Sequence, residues 1–163
     1  MTSNGARPGP LARALKRAAA MQPPSTVLVA FDGSKPATAA LKRAAELSRA
    51  AGGKVVAVYV VSPYTFPVDL YGVGVADLTQ QHREWAERML AEAVGDLRRE
   101  GHAAESRLLD GGPAEELARA ALADDVWMVA VGASGRGAVS RVLLGSVADR
   151  LVHICSKPVL VVR

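Results

Sequence analysis

The chain has 163 residues, of which half are hydrophobic and only 4% aromatic, and its formal net charge is +4. This length suits one domain with a sizeable core, and the mild, scattered charge excludes a strongly basic nucleic-acid-binding protein. No apolar run is long enough to span a membrane, the histidines have no metal-ligand spacing, and a single cysteine cannot form an intramolecular disulfide. We therefore expect a cytoplasmic protein without a membrane, nucleic-acid or metal partner.

The first 24 residues are predicted to be an extension, and residues 25–163 the folded domain. Prolines and glycines flank a basic segment, 11–21, that is able to form a short helix. The segment lacks the apolar centre of a secretory signal. We expect a disordered or partly helical arm, with a transit peptide as the alternative.

Valine-rich runs predict strands that are buried on both faces of a parallel sheet. Five strands are predicted, at 26–31, 54–61, 104–109, 126–131 and 158–162. The third is the least apolar and the fifth begins with a proline, which are features of edge strands. Helices are predicted between them, at 36–51, 76–100, 114–123 and 146–156. This alternation predicts an α/β fold with one doubly wound, five-stranded parallel sheet and helices on both faces, and it leaves the strand order open.

Apolar periodicity predicts the buried faces of the helices. In the first helix, which follows a cap at Ser34 or Lys35, these residues are Ala40, Leu41, Ala44, Ala45, Leu47 and Ser48. In the second they are Leu78, Trp85, Met89, Ala93 and Leu97. Cys155 is predicted to be an inert thiol on the buried face of the last helix.

The stretch 126–146 has the most distinctive pattern, because Gly132, Gly135, Gly145 and Ser146 follow a buried strand. Glycines allow positive φ and let a ligand approach backbone N–H groups closely, and a helix N-terminus adds unpaired N–H groups and partial positive charge. Ser146 and Asp149 have the spacing of a capping box, which predicts a helix start at Ser146 with Gly145 just outside it. The alternative is a turn that only connects strand and helix.

Two common phosphate motifs, G-x-x-x-x-G-K-[ST] and G-x-G-x-x-G, are absent from the sequence. The spacing is instead glycine, two residues, glycine, nine residues, glycine and serine. This pattern resembles the nucleotide-binding motif of the universal stress protein family. The stretches Val-Ala-Phe-Asp-Gly-Ser at 29–34 and Lys-Pro-Val-Leu-Val-Val at 157–162 also look like that family, and the resemblance covers residues 25–163.

The resemblance implies strand order 3-2-1-4-5 and ATP as the ligand. In that order the direction of connection reverses between strands one and four, where open sheets bind ligands. The implied contacts are Gly132, Gly135, Gly145 and Ser146 to the phosphates, and Asp32 and Val60 to the adenosine. Magnesium, if bound, would be held by the triphosphate. Asp32 has an alternative role as the cap of the first helix.

The resemblance implies a nucleotide-dependent stress-response regulator or sensor that forms a homodimer through its C-terminal strand. One alternative is a slow ATPase or phosphotransferase, for which Arg136, Arg141 and Ser146 are available but no general base is evident. The other is a nucleotide-independent dimeric interaction module that pairs strand 158–162 with its copy. The loop 62–75 is predicted to cover either a pocket or a partner surface.

Overall fold

The computed structural model describes residues 25–62, 75–135 and 144–163. The N-terminal extension 1–24, nearly all of the loop 62–75, and Arg136 and Arg141 lie outside these residues.

Strands and helices alternate along the described chain. The strands β1 to β5 are Thr26–Ala30, Val55–Val61, Ala104–Asp110, Val126–Gly132 and Val159–Val162. The helices α1 to α4 are Lys35–Ala50, Val75–Arg99, Pro113–Ala120 and Ser146–Ile154. All nine predicted elements are confirmed, although α3 and α4 end earlier than predicted. After α3 the N–H of Leu122 bonds to the carbonyl of Arg119, three residues back, and the chain turns into β4.

The sheet is parallel throughout and has the order β3-β2-β1-β4-β5. This confirms the order implied by the resemblance and the predicted edge positions of β3 and β5. The first strand lies at the centre, where Val29 pairs with Ala57 of β2 and Ala130 of β4. The connection direction therefore reverses between β1 and β4.

Both faces of the sheet are covered, because successive side chains of a strand point to opposite sides. Val27 and Val29 pack under α1 and α2, whereas Leu28 packs under α3 and α4. These β1 side chains are at most 1% exposed. Full burial of such a side chain stabilises the fold by about 1.5–3 kcal/mol, so the two faces together hold β1 in place.

The buried face of α2 is rotated from the predicted one. Its buried residues are Ala86, Leu90, Val94 and Leu97, so only Leu97 is shared with the prediction. Met89 and Ala93 are partly buried, and Leu78 is 37% exposed. The reason is tertiary: Trp85 packs edge-on against Tyr59 of β2, and Met89 contacts the turn at Gly33, so both lie at the margin of the core.

Two smaller predictions about buried residues are also wrong. In α1, Ala37 is buried whereas Leu47 is only half-buried. Cys155 is not on a buried helix face, because it follows the end of α4 in an extended conformation and is partly exposed. Its neighbour Val152 is 50% exposed.

Candidate functional site

A pocket of about 490 Å³ lies at the carboxyl edge of the sheet, around the ends of β1, β2 and β4. This is the switch point at which the connection direction reverses. The structure places all six sequence-predicted site residues in its lining: Asp32, Val60, Gly132, Gly135, Gly145 and Ser146. Residues that are distant in sequence thus surround one space because parallel strands end at the same edge.

On the β1 side, a tight turn orients the carboxylate of Asp32. The N–H of Ser34 donates to Asp32 Oδ1 at 2.9 Å, and Ser34 Oγ accepts from the N–H of Ala37 at 3.3 Å. Ser34 is therefore the cap of α1, and the alternative that Asp32 caps this helix is wrong. The other oxygen, Asp32 Oδ2, faces Gly135, where it lies 2.9 Å from the position that a Cβ would occupy.

On the β4 side, the motif glycines allow backbone segments to approach closely. A Cβ at Gly132 would lie 2.7 Å from the carbonyl carbon of Pro36, and one at Gly145 would lie 3.3 Å from Ser134 Cα. None of Gly132, Gly135 and Gly145 has a positive φ, so that part of the prediction is wrong for these positions. Their lack of a side chain brings β4, the start of α1 and the start of α4 together.

The helix α4 begins at Ser146 as predicted, but the predicted capping box is wrong. Gly145 occupies the cap position with φ −66° and ψ 152°, and it makes no side-chain bond to the first turn. The N–H of Asp149 donates to the Gly145 carbonyl at 2.9 Å, while Ser146 is already helical and exposed. The cap residue thus supplies no side-chain acceptor for the N–H groups of the first turn beside the pocket, which favours an anionic ligand.

Much of the remaining lining is apolar and was not predicted as part of a site. These residues are Ala30, Phe31, Ala37, Val58, Tyr59, Pro113, Leu117, Val131, Val147 and Ala148, with the polar Ser62 and Ser134. Ser134 could have been found from its place between two motif glycines. Pro113 and Leu117 carry no such signal, because only the packing of α3 on the sheet brings them to the pocket.

The charges near the pocket are unevenly distributed. Asp32 is the one charged residue in the described lining. Outside the lining, Arg150 Nε of α4 lies 3.1 Å from Glu115 Oε1 of α3. The pKa of Glu115 is lowered from 4.5, first by a hydrogen bond from its own backbone N–H and then by Arg150.

Among residues 25–62, 75–135 and 144–163, no three His, Cys, Asp or Glu side chains are grouped so that they could hold a metal ion. None of the helices within these ranges combines the length and the apolar character that crossing a bilayer requires.

The universal stress protein family model matches residues 24–163. A universal stress protein of Thermus aquaticus, described as lying in the QAH/OAS sulfhydrylase 3′ region, is 32% identical over 140 residues, or 85% of this chain and 98% of the relative. A solved structure of a family protein from Burkholderia pseudomallei is 33% identical with a TM-score of 0.67, covering 85% and 96% of the two chains. A crystal structure of a universal stress protein in complex with cAMP is 25% identical with a TM-score of 0.62, covering 85% and 95%. On this match over residues 24–163, the chain belongs to the universal stress protein family.

Proposed function

We propose that the pocket binds an adenine nucleotide, ATP in particular, and that the protein acts as a nucleotide-dependent regulator or sensor in a stress response. The observation that carries this proposal is the convergence of the four motif residues, together with Asp32 and Val60, on one pocket at the switch point of the sheet. The related structure that holds cAMP supports an adenine nucleotide as the ligand class.

The two ends of the pocket suit the two ends of such a ligand. In the proposed complex, the phosphates lie at Gly132, Gly135, Gly145 and the first turn of α4, where backbone N–H groups and Ser146 Oγ donate. Asp32 accepts from the ribose, and the backbone of Val60 reads the base. The apolar wall that includes Leu117 packs against the adenine. Magnesium is then bound through the phosphate oxygens.

Calorimetric titration with ATP-Mg tests the proposal. We expect micromolar affinity, roughly −8 kcal/mol, for the wild type, and its loss in Gly145→Val, because the new side chain extends from a Cβ already within 3.3 Å of Ser134. Gly95→Val is the matched control, since a Cβ at this α2 glycine meets nothing within 4 Å. A wild-type protein that shows no binding heat and carries no nucleotide after purification would contradict the proposal.

The proposal is for binding rather than turnover. The one carboxylate in the described lining, Asp32, is assigned to the ribose, which leaves no base there to activate water or a hydroxyl. We expect ATP hydrolysis at the background rate. A hydrolysis rate that depends on Ser146 would favour the slow ATPase or phosphotransferase instead.

We further propose a cytoplasmic homodimer that pairs through β5. All four residues of this strand are only half-buried, and β5 is the last strand of the sheet, so one edge can pair with another strand. Sedimentation at micromolar concentration is expected to give a dimer. A monomer that still binds ATP would remove the dimer from the proposal and leave the nucleotide site intact.

A further inference from the structure

The ion pair between Arg150 and Glu115 joins α4 to α3 near the ends of these helices that line the pocket, since Pro113 and Ser146 are both lining residues. Glu115 folds back over the start of α3, since its Oε2 is 2.5 Å from the position of a Cβ on Gly112, and Pro113, the next residue, lines the pocket. Arg150 follows Ser146 by one helical turn on α4, and helical side chains lean toward the helix N-terminus. Its guanidinium is thus held between the starts of α3 and α4, which together form one wall.

The described lining of the pocket supplies no cation to balance a polyphosphate. Its described lining contains one charged residue, the acidic Asp32, and no lysine or arginine. Backbone N–H groups supply only partial charges, about half an elementary charge at a helix N-terminus. ATP carries several negative charges, so a nearby guanidinium, which binds phosphate through several N–H groups, would add charge-assisted hydrogen bonds.

From this arrangement we propose that Arg150 is a phosphate-recognition residue and that Glu115 is its built-in competitor, so that the site favours nucleotides with a polyphosphate chain. The inference rests on the proposed nucleotide function and deepens it. A triphosphate draws Arg150 away from Glu115, whereas a nucleoside without phosphates leaves the ion pair in place.

The ion pair is suited to such an exchange. Its side chains are 59% and 49% exposed, and exposed pairs contribute little to stability, so Arg150 is released at low cost. Glu115 is ionised at neutral pH, since the ordinary pKa of 4.5 already lies well below neutrality and its own backbone N–H and Arg150 lower the pKa further. An ionised carboxylate both neutralises Arg150 and repels an approaching phosphate. Removal of Arg150 should therefore weaken ATP binding, whereas removal of Glu115 should strengthen it.

The test is a titration of full-length wild type, Arg150→Gln and Glu115→Gln with ATP-Mg and with adenosine. We expect Arg150→Gln to weaken ATP binding by roughly three- to tenfold and Glu115→Gln to strengthen it by about two- to fivefold, with adenosine affinity unchanged. Both effects should shrink at high ionic strength. The matched controls are Arg43→Gln and Glu46→Gln, a similarly exposed pair of α1 joined at 2.9 Å, which should leave ATP affinity unchanged.

Other outcomes overturn the inference. If both substitutions weaken ATP and adenosine alike, the ion pair is only a structural link between α3 and α4. If neither variant differs from the Arg43 and Glu46 controls, Arg150 does not reach the phosphates. If the wild type binds no ATP at all, the proposed nucleotide function is wrong. If the wild type and Arg150→Gln bind ATP equally well, only the inference about Arg150 is wrong.

Discussion

Two connections border the pocket, one between β1 and α1 and one between β4 and α4. Each leads from a strand into a helix, but the two helices are capped differently. The first is short, and the side chain of Ser34 accepts a hydrogen bond from the first turn of α1. The second is longer, and α4 begins after Gly145, which has no side chain to bond to the first turn. Both serve a parallel sheet, yet the cap residue bonds to the helix through its side chain at α1, the closed helix start, and does not at α4, the open helix start.

The difference shows where this fold can bind an anion. The start of α3 resembles the closed case, because Glu115 accepts a hydrogen bond from its own backbone N–H. The caps of α3 and α4, Gly112 and Gly145, both lack a side-chain bond, but Glu115 supplies a carboxylate to the first turn of α3. An anionic ligand at the start of α4 would accept from the first-turn N–H groups, for which Gly145 offers no side chain.

The contact that joins the two connections should be the most sensitive to substitution. Gly132→Ala would place a Cβ 2.7 Å from the carbonyl carbon of Pro36 and 2.9 Å from the nitrogen of Ala37. Because both are backbone atoms, we expect a loss of about 1–3 kcal/mol in the free energy of unfolding, measured by denaturant titration. Gly95→Ala is the control and should raise stability by up to about 1 kcal/mol, since the space there is open. Equal stability of the two variants would contradict this explanation of Gly132.

A substitution at the closed helix start should lower the stability of the fold and leave ATP binding nearly unchanged. Ser34→Ala removes the acceptor for the N–H of Ala37, which lies 3.3 Å from Ser34 Oγ. We expect the free energy of unfolding to fall by about 1 kcal/mol, while ATP affinity stays within roughly twofold of the wild type. Affinity that falls tenfold with unchanged stability would reverse the roles assigned to the two helix starts.

A substitution at the open helix start should weaken ATP binding and leave the stability of the fold nearly unchanged. Ser146 is exposed and caps nothing, so Ser146→Ala should change the free energy of unfolding by no more than about 0.5 kcal/mol. ATP affinity should fall by roughly three- to tenfold, because one phosphate donor is lost. Thermal unfolding with and without ATP measures both quantities in one experiment. A loss of stability in the absence of ATP would show that Ser146 supports the helix after all.

The smallest expected effect is the change in stability that follows from protonation of Glu115 at low pH. Its folded-state pKa is lowered from 4.5, so its contribution to stability is fully present above that value and is lost as the pH falls through the lowered pKa. Glu115→Gln should therefore lose less stability than the wild type when the pH is lowered from neutral to below 4.5. Arg150→Gln should lose an intermediate amount of stability, because it removes the interaction with Arg150 and keeps the hydrogen bond from the backbone N–H of Glu115. Unfolding midpoints that shift equally with pH in all three proteins would contradict the assignment.

Most of the fold follows from local signals in the sequence. Runs such as 55–61 are strands because branched apolar side chains suit a sheet that is buried on both faces. The prolines near the starts of α1 and α3 and the glycine pair after α1 set the limits of helices through backbone conformation. The six site residues were identified from motif spacing and family resemblance, and the structure places them around one pocket. Their contacts with a nucleotide remain predictions.

The sequence by itself determined the elements, their order and the motif positions, because propensity, periodicity and turn chemistry act over a few neighbouring residues. Tertiary structure decided which face of α2 is buried, why Gly132 must lack a side chain, and that Leu117 forms part of the pocket wall. It also decided that Arg150 meets Glu115. Each of these depends on atoms from segments that are distant in sequence, and no local pattern specifies which distant atoms share a space until the strands are ordered in the sheet.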